Sequence, residues 1–313
     1  MKIGVDAMGG DFAPDAIVKG AIEAQKQLLP GEHIVLFGDQ DRIYNILDQE
    51  NVDKSTFEVV HCSEVIGMGE NPAKTFAKKT DSSITVGFRH LVQQKIDGFA
   101  SAGNTGAMLV GTMYTVKSVP GIIRPAIASY IPVSENKFNL LLDVGLNPDC
   151  RPDVLYQYGI LGNIYAKLIF GINKPRVGLL NIGEEEEKGN LVTKSAHELM
   201  NGSLDYNFVG NVEGNELFSD SKADVIVCDG FVGNVLLKEA EAFYHLIKKR
   251  NISDPFFEMF NFENYGGTPV LGVNSPVIIG HGVSNAKAIM NMILQTKTVI
   301  KTGVCEKFKE AFS

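Results

Sequence analysis

Lys2-Ile3-Gly4-Val5-Asp6-Ala7-Met8-Gly9-Gly10-Asp11 opens the chain with a short apolar run that stops at an aspartate and two glycines. A run this short, rich in Val and Ile and closed by Gly and Asp, predicts a buried strand entering a turn. The same signature recurs at His33–Phe37, Thr56–Cys62, Gly98–Ala102, Leu140–Val144, Arg176–Ile182, Tyr206–Val209 and Ala223–Cys228. Helical spacing fills the gaps. Asp81 or Ser82 precedes a face of Ile84, Phe88, Leu91 and Val92, and Pro152 precedes Val154, Tyr158, Leu161, Tyr165 and Leu168. Leu236, Ala240, Phe243 and Ile247 form another stripe. The last helix is predicted from near Ser284, burying Ile289, Met290, Ile293, Ile300 and Val304. Strands alternating with helices predict an α/β fold with a mostly parallel sheet covered on both faces. No compositional break marks a linker, so residues 1–313 are read as one domain.

The loops after these strands carry the chemical signal. They read Met8-Gly9-Gly10-Asp11, Gly103-Asn104-Thr105-Gly106, Gly145-Leu146-Asn147, Gly183 to Asn190, Gly210-Asn211, Asp229 to Asn234, and Gly280-His281-Gly282-Val283-Ser284-Asn285. In a parallel sheet such loops gather at the carboxyl edge, where ligands of open α/β sheets bind. Glycine admits close backbone approach, and asparagine amides and helix N-termini add donors, a combination suited to a phosphate-like anion. One such loop is ordinary turn chemistry; a series on one edge predicts a site.

Composition narrows the function. With 44% hydrophobic and 21% charged residues the chain is ordinary globular protein rather than a disordered one. A net charge of −8 argues against nonspecific nucleic-acid binding. Cys62, Cys150, Cys228 and Cys305 lie too far apart for CxxC metal spacing and fall in or near apolar runs, which predicts buried thiols. The N-terminus lacks a signal-peptide core, and no apolar run reaches membrane-spanning length, so a cytoplasmic, reduced protein is expected. The P-loop, GxGxxG, GxSxG and HExxH patterns are all missing. An anion-handling enzyme without a covalent nucleophile, metal or cofactor is the expectation. Glu184–Glu187 read as a solvated helix start rather than a metal cluster. Lys188 either pairs with those glutamates or reaches the sheet edge as a phosphate-binding cation. His281, between two glycines, is a candidate acid/base or hydrogen-bonding residue.

The loop series resembles the PlsX family of bacterial phosphate acyltransferases. The resemblance rests on VDAMGGDxAP at Val5–Pro14, SAGNTGA at Ser101–Ala107, LLLDVG at Leu140–Gly145 and PRVGLLNIGEEEEKGN at Pro175–Asn190. FVGNVEG at Phe208–Gly214, CDGFVGNV at Cys228–Val235 and NYGG at Asn264–Gly267 continue it in order along nearly the whole chain. It implies a three-layer α/β/α sandwich like those of phosphotransacetylase and the isocitrate/isopropylmalate dehydrogenases. It implies transfer of a long-chain acyl group from acyl carrier protein to inorganic phosphate, and acyl phosphate as the product for phospholipid synthesis. A homodimer at the inner face of the cytoplasmic membrane, working beside a membrane-bound glycerol-3-phosphate acyltransferase, is also implied. Lys188, Asn234 and His281 are then expected in catalysis. Asp6, Gly9, Gly10, Asp11, Asn104, Thr105, Gly106, Asn190, Gly233 and Ser284 are expected at the substrate and phosphate.

Two departures from the family stand out. Phe12 fills a position where relatives often carry His. The stretch between Val235 and Tyr265 is short where relatives carry a projecting helical hairpin, so 236–264 is read as a membrane- or dimer-contact segment. Its Phe256, Phe257 and Phe260 are open to insertion in a membrane, to a dimer contact or to the core. Arg89, Lys95, Lys248, Lys249 and Arg250 are candidates for receiving an acidic carrier protein. Rival functions are acyl transfer from short acyl-CoA and a non-catalytic scaffold for lipid enzymes.

Overall fold

A computed structural model describes residues 1–135 and 137–313. In chain order it contains β1 (Lys2–Asp6), α1 (Asp15–Gln25), β2 (His33–Gly38), α2 (Gln40–Gln49), β3 (Glu58–His61), α3 (Pro72–Lys78), α4 (Ser83–Val92), β4 (Gly98–Ser101) and α5 (Thr105–Gly111). Next come β5 (Ala126–Ser134), β6 (Lys137–Leu142), α6 (Pro152–Ile169), β7 (Arg176–Leu180), α7 (Leu191–Met200), β8 (Asn207–Val212) and β9 (Val225–Val227). The chain ends with α8 (Gly230–Lys249), α9 (Pro255–Glu258), β10 (Gly267–Leu271), β11 (Val277–Gly280), α10 (Ala286–Lys301) and α11 (Val304–Ala311). The chain divides into two compact units. The first is Met1–Lys117 with Phe262–Gly303, and the second is Ser118–Asn261 with Val304–Ser313.

The first unit orders its strands β3-β2-β1-β4-β11-β10. All pairs are parallel except β10 with β11. Neighbouring residues of β4 show why helices cover both faces. A Cβ on Gly98 would stand 2.9 Å from Ile300 and 3.1 Å from Thr296 of α10, while Phe99 packs edge-on against Phe88 of α4, with ring centroids 5.2 Å apart. Side chains alternate across a strand, so α10 and α4 lie on opposite faces. Phe37, Phe88 and Phe99 are fully buried.

The second unit orders β5-β6-β9-β7-β8, antiparallel only between β5 and β6. Three sequence expectations change. First, Gly210-Asn211 is not a loop: β8 runs on to Val212, and its register against β7 shifts between Val177 and Leu179. Gly210 sits there with φ +87°, the left-handed conformation a bulge uses. Second, the last helical pattern breaks at Thr302-Gly303, so Val304 is buried in α11, which packs on α6, rather than in α10. Third, β5 and β10 carry Pro132 and Pro269 inside their runs, which hid them from a search for apolar runs.

The aromatic stretch after α8 folds back within its unit. Glu258 accepts hydrogen bonds from Tyr244 Oη (3.0 Å) and Lys248 Nζ (2.8 Å), and the Phe260 and Phe218 ring centroids are 5.6 Å apart. Phe256, Phe257 and Phe260 are partly buried. Phe243 and Leu246 of α8 are exposed.

One ion-pair cluster staples the end of α10 to the α1–β2 turn. Glu32 is buried and accepts from Leu29 N (2.8 Å), from Lys297 Nζ (2.9 Å) and from Lys301 Nζ. The Lys301 hydrogen bond, the Leu29 amide and Lys297 together hold its carboxyl down at about 2, against an ordinary 4.5. A depressed carboxyl stabilises the fold above its unfolded value, and that contribution is lost as pH falls through its folded one. Glu32→Gln is therefore expected to lower Tm at pH 7, and its gap from the parent to shrink between pH 4.5 and 2. Thermal melts across that range check this; an equal gap at both ends would refute it.

Candidate active site

In the first unit the chain runs outward from β1 to β2 and β3, then returns to place β4 on the other side of β1. This reversal is a topological switch point, where open α/β sheets bind ligands. The ends of β1 and β4 are joined there by side chains. Asp6, 1% exposed, accepts from Met8 N through Oδ1 (3.0 Å) and from Ser101 Oγ through Oδ2 (2.6 Å). Ser101 Oγ in turn accepts from Gly103 N (2.9 Å). One hydroxyl thus ties the β1 carboxylate to the turn after β4. Gly9 closes against the same group: a Cβ there would stand 2.3 Å from Asp6 Oδ2 and 2.7 Å from Gly103 N, so only glycine fits. Burial raises the Asp6 carboxyl above its ordinary value, opposed by hydrogen bonds from Ser101, Ser83, Met8 and Gly9.

The neighbouring turns are fastened in the same way. Asn104 caps α5 by accepting from Ala107 N (3.0 Å). Its Nδ2 donates to the carbonyls of Gly67 (2.9 Å), Met68 (3.1 Å) and Glu70 (3.1 Å), which consumes its donor capacity. Asp11 N donates to Gly282 O (2.8 Å), and the buried Ser284 donates through Oγ to His281 O (2.6 Å). Asp6, Asn104 and Ser284, expected at the phosphate, therefore spend their side chains holding loops. The Asp11 carboxylate is exposed but carries the wrong sign for an anion. What the edge presents outward is Gly10, the exposed Thr105, the N-terminal amides of Thr105 and Gly106, and the exposed His281 ring. His281 Nδ1 accepts from Val283 N at 3.4 Å.

The second unit repeats the device. Asp143, directly after β6 and 0% exposed, accepts from Ile127 N (2.9 Å), Leu146 N (3.2 Å), Asn147 N (2.6 Å) and Asn147 Nδ2 (3.1 Å). Burial pushes its carboxyl up as well. Gly233 of α8 approaches so closely that a Cβ would lie 1.9 Å from Asp143 O. That contact presents the next residue, Asn234, whose Nδ2 donates only a long bond to Val144 O (3.3 Å). Asn190 caps α7 by accepting from Thr193 N (2.9 Å).

Lys188 keeps an ion pair with one of the glutamates of its own loop. Its side chain is 47% exposed, and its Nζ stands 3.9 Å from Glu185. The short ion pair of the acidic turn, Glu184 at 2.7 Å, goes to Lys222. Asn181 Nδ2 donates to Lys188 O (3.2 Å) and Asn211 Nδ2 to Glu185 O (2.8 Å), fixing the backbone of this loop. The expected site residues thus fall into two clusters. The first unit holds Asp6, Gly9, Gly10, Asp11, Asn104, Thr105, Gly106, His281 and Ser284. The second holds Lys188, Asn190, Gly233 and Asn234. Ser101, Asp143, Asn181 and Asn211 were missed by sequence reasoning. For Asp143 a signal existed: like Asp6, it ends an apolar strand run just before a glycine loop.

All four cysteines are buried. Burial holds the thiols of Cys62 and Cys305 up at about 12, that of Cys150 at about 11, and that of Cys228 well above its ordinary value. None supplies a thiolate nucleophile near neutral pH. Ser101→Ala leaves Gly103 N and Asp6 Oδ2 each short of a partner, so a destabilisation of about 1–3 kcal/mol is expected. Urea unfolding measures it; a variant as stable as the parent would contradict the tie described above.

The family model described as fatty acid synthesis protein matches residues 1–307. A phosphate acyltransferase of Dictyoglomus turgidum is 40% identical over 332 aligned positions, covering 100% of this chain and 98% of that protein. One of Desulfitobacterium hafniense is 42% identical, covering 99% and 97%. The first alignment spans 332 positions against 313 residues, so at least 19 positions of it face no residue of this chain. A phosphotransacetylase from Streptococcus pyogenes shares the fold, with a TM-score of 0.68 at 18% identity over 96% of this chain and 94% of that one. The chain belongs to the fatty acid synthesis protein family, the PlsX phosphate acyltransferases, and is an acyltransferase.

Proposed function

We propose that the protein transfers a long-chain fatty acyl group from acyl carrier protein to inorganic phosphate, giving acyl phosphate for phosphatidic acid and phospholipid synthesis. The observation that carries this reading is full-length similarity, at 40–42% identity, to proteins named phosphate acyltransferase, within a family described by fatty acid synthesis. The loop chemistry supports it. Phosphate is a competent nucleophile near neutral pH, so the protein needs to hold it against a thioester and stabilise the oxyanion that forms. Positioning supplies up to about 7–11 kcal/mol in ideal cases, and one oxyanion donor about 3–4 kcal/mol.

Amides around Gly9, Gly10, Thr105 and Gly106 take the phosphate, with the Thr105 hydroxyl. In the second unit, taken by itself, Lys188 offers a cation, and Asn234 and Asn190 offer amide donors. A phosphate oxygen attacks the thioester carbon; the C–O bond forms, the tetrahedral oxyanion collapses, and the C–S bond breaks. His281 relays to the carrier thiolate the proton that the attacking hydrogenphosphate gives up, so the ring ends as it began. The protein works as a homodimer on the inner face of the cytoplasmic membrane. It passes acyl phosphate to a membrane-bound glycerol-3-phosphate acyltransferase. The exposed Phe243 and Leu246 of α8 suit either the dimer contact or the lipid surface. No helix among the described residues is long and apolar enough to cross a membrane.

The phosphotransacetylase fold supports a second reading, with short acyl-CoA as donor. Incubation with palmitoyl-acyl carrier protein or with acetyl-CoA, each with and without phosphate, separates the two. Phosphate-dependent release of carrier thiol, with acyl phosphate trapped by hydroxylamine, is the expected result. Turnover of acetyl-CoA alone would replace the reading, and carrier binding without turnover would favour a scaffold. Lys188→Ala is expected to lower kcat/KM for phosphate by about 100-fold; near-parental kinetics would remove Lys188 from the site.

A further inference from the structure

Residues 71–117 break the charge balance of the chain. They hold Lys74, Lys78, Lys79, Arg89, Lys95 and Lys117 against two acids, Asp81 and Asp97, in a protein of net charge −8. Both acids are occupied: Asp81 accepts from Ser63 N (2.9 Å) and Ser63 Oγ (2.6 Å), and Asp97 accepts from Lys2 N (2.7 Å). Lys79 pairs with Glu70 at 2.8 Å. Among the described residues the other five cations form no ion pair, and all five are exposed. Arg89 only donates to Thr80 O (2.7 Å).

One of these cations, Arg89, lines an open apolar recess. Phe76 of α3, Arg89 and the exposed Val92 of α4, and Thr115 line a pocket of about 260 Å³. That is below the roughly 300–1,000 Å³ of sites for small molecules, but it is room for the side chains of a docking helix. The face is continuous with the candidate site. α3 starts at Pro72, whose ring packs on Gly106 so closely that a Cβ there would lie 2.3 Å from it. Phe76 lies one helical turn further along, roughly 6 Å away.

We infer that the α3–α4 face is the docking surface for an acidic, helical protein that delivers the acyl donor. The inference rests on the proposed use of a carrier-protein thioester. Charge complementarity steers an acidic partner to this face, and the recess gives it an apolar anchor. The basic run that ends α8 is a poorer choice, because Lys248 is already paired with Glu258 at 2.8 Å. A lipid surface fits less well, because the recess lined by Arg89 lies on a face that continues to the loops where the thioester must arrive.

The test is steady-state kinetics of the full chain with palmitoyl-acyl carrier protein and phosphate. The variants are Lys74→Glu/Lys78→Glu and, separately, Lys95→Glu. A rise of about tenfold in KM for the carrier substrate is expected for the double variant, with kcat and the KM for phosphate unchanged. The parent KM rises with salt, and the variant KM rises less steeply. An unchanged carrier KM overturns the inference. So does a parallel loss of kcat, which would place the defect in folding or in the site. Reduced binding to phosphatidylglycerol vesicles with an unchanged carrier KM assigns the face to lipid instead. A parent protein that turns over acyl-CoA but not acyl carrier protein overturns the donor reading itself, before any variant is compared.

Discussion

A buried carboxylate at the end of a central strand organises each unit. Asp6 closes β1 and Asp143 follows β6, and neither has a cationic partner in its hydrogen-bond shell. Placing a carboxylate inside a protein without compensation is prohibitive. Here backbone N–H groups, two serines and one asparagine supply it, and most of these donors belong to the loops themselves. A loop that moved would strand the carboxylate, so the turns after β1, β4 and β6 hold one arrangement. The burial that raises both carboxyls above their ordinary range is the cost of that rigidity.

Rigid loops are what phosphate chemistry needs. A reaction with no covalent nucleophile gains its rate from positioning and from donors aimed at developing charge. Protonated, buried thiols and the internally bonded Ser101 and Ser284 hydroxyls leave backbone amides, Thr105 and His281 as the outward chemistry of the first unit, and Lys188 and Asn234 as that of the second. The close approaches of Gly9 and Gly233 serve the same end. Each glycine lets a turn or a helix press against its buried aspartate, which fixes where the following donors stand.

Strand-then-glycine punctuation made most of the fold legible, because buried parallel strands are apolar runs and their turns need Gly, Asn or Asp. It failed where that grammar changes. Pro132 and Pro269 interrupt β5 and β10, the bulge at Gly210 mimics a strand end, and Thr302-Gly303 splits one helical pattern into two helices. The site was legible by location more than by role. A polar residue in a glycine loop offers hydrogen bonds, but its letter does not say whether they point to a ligand or back to the chain. Asp6, Asn104 and Ser284 point back, and only coordinates show it. The cation excess of residues 71–117 was in the sequence throughout, diluted by the acidity of the rest.

The central claim is that phosphate attacks the thioester directly, with the loops as a rigid cradle and no acyl-enzyme. The most direct test is intact-mass analysis of the protein after mixing with palmitoyl-acyl carrier protein in phosphate-free buffer, followed by addition of ¹⁸O-labelled phosphate. The account predicts unmodified protein and no burst of carrier thiol before phosphate is added, then acyl phosphate carrying label in its bridging oxygen. A palmitoyl adduct on a serine or cysteine, formed with a stoichiometric burst of thiol before phosphate, would contradict it.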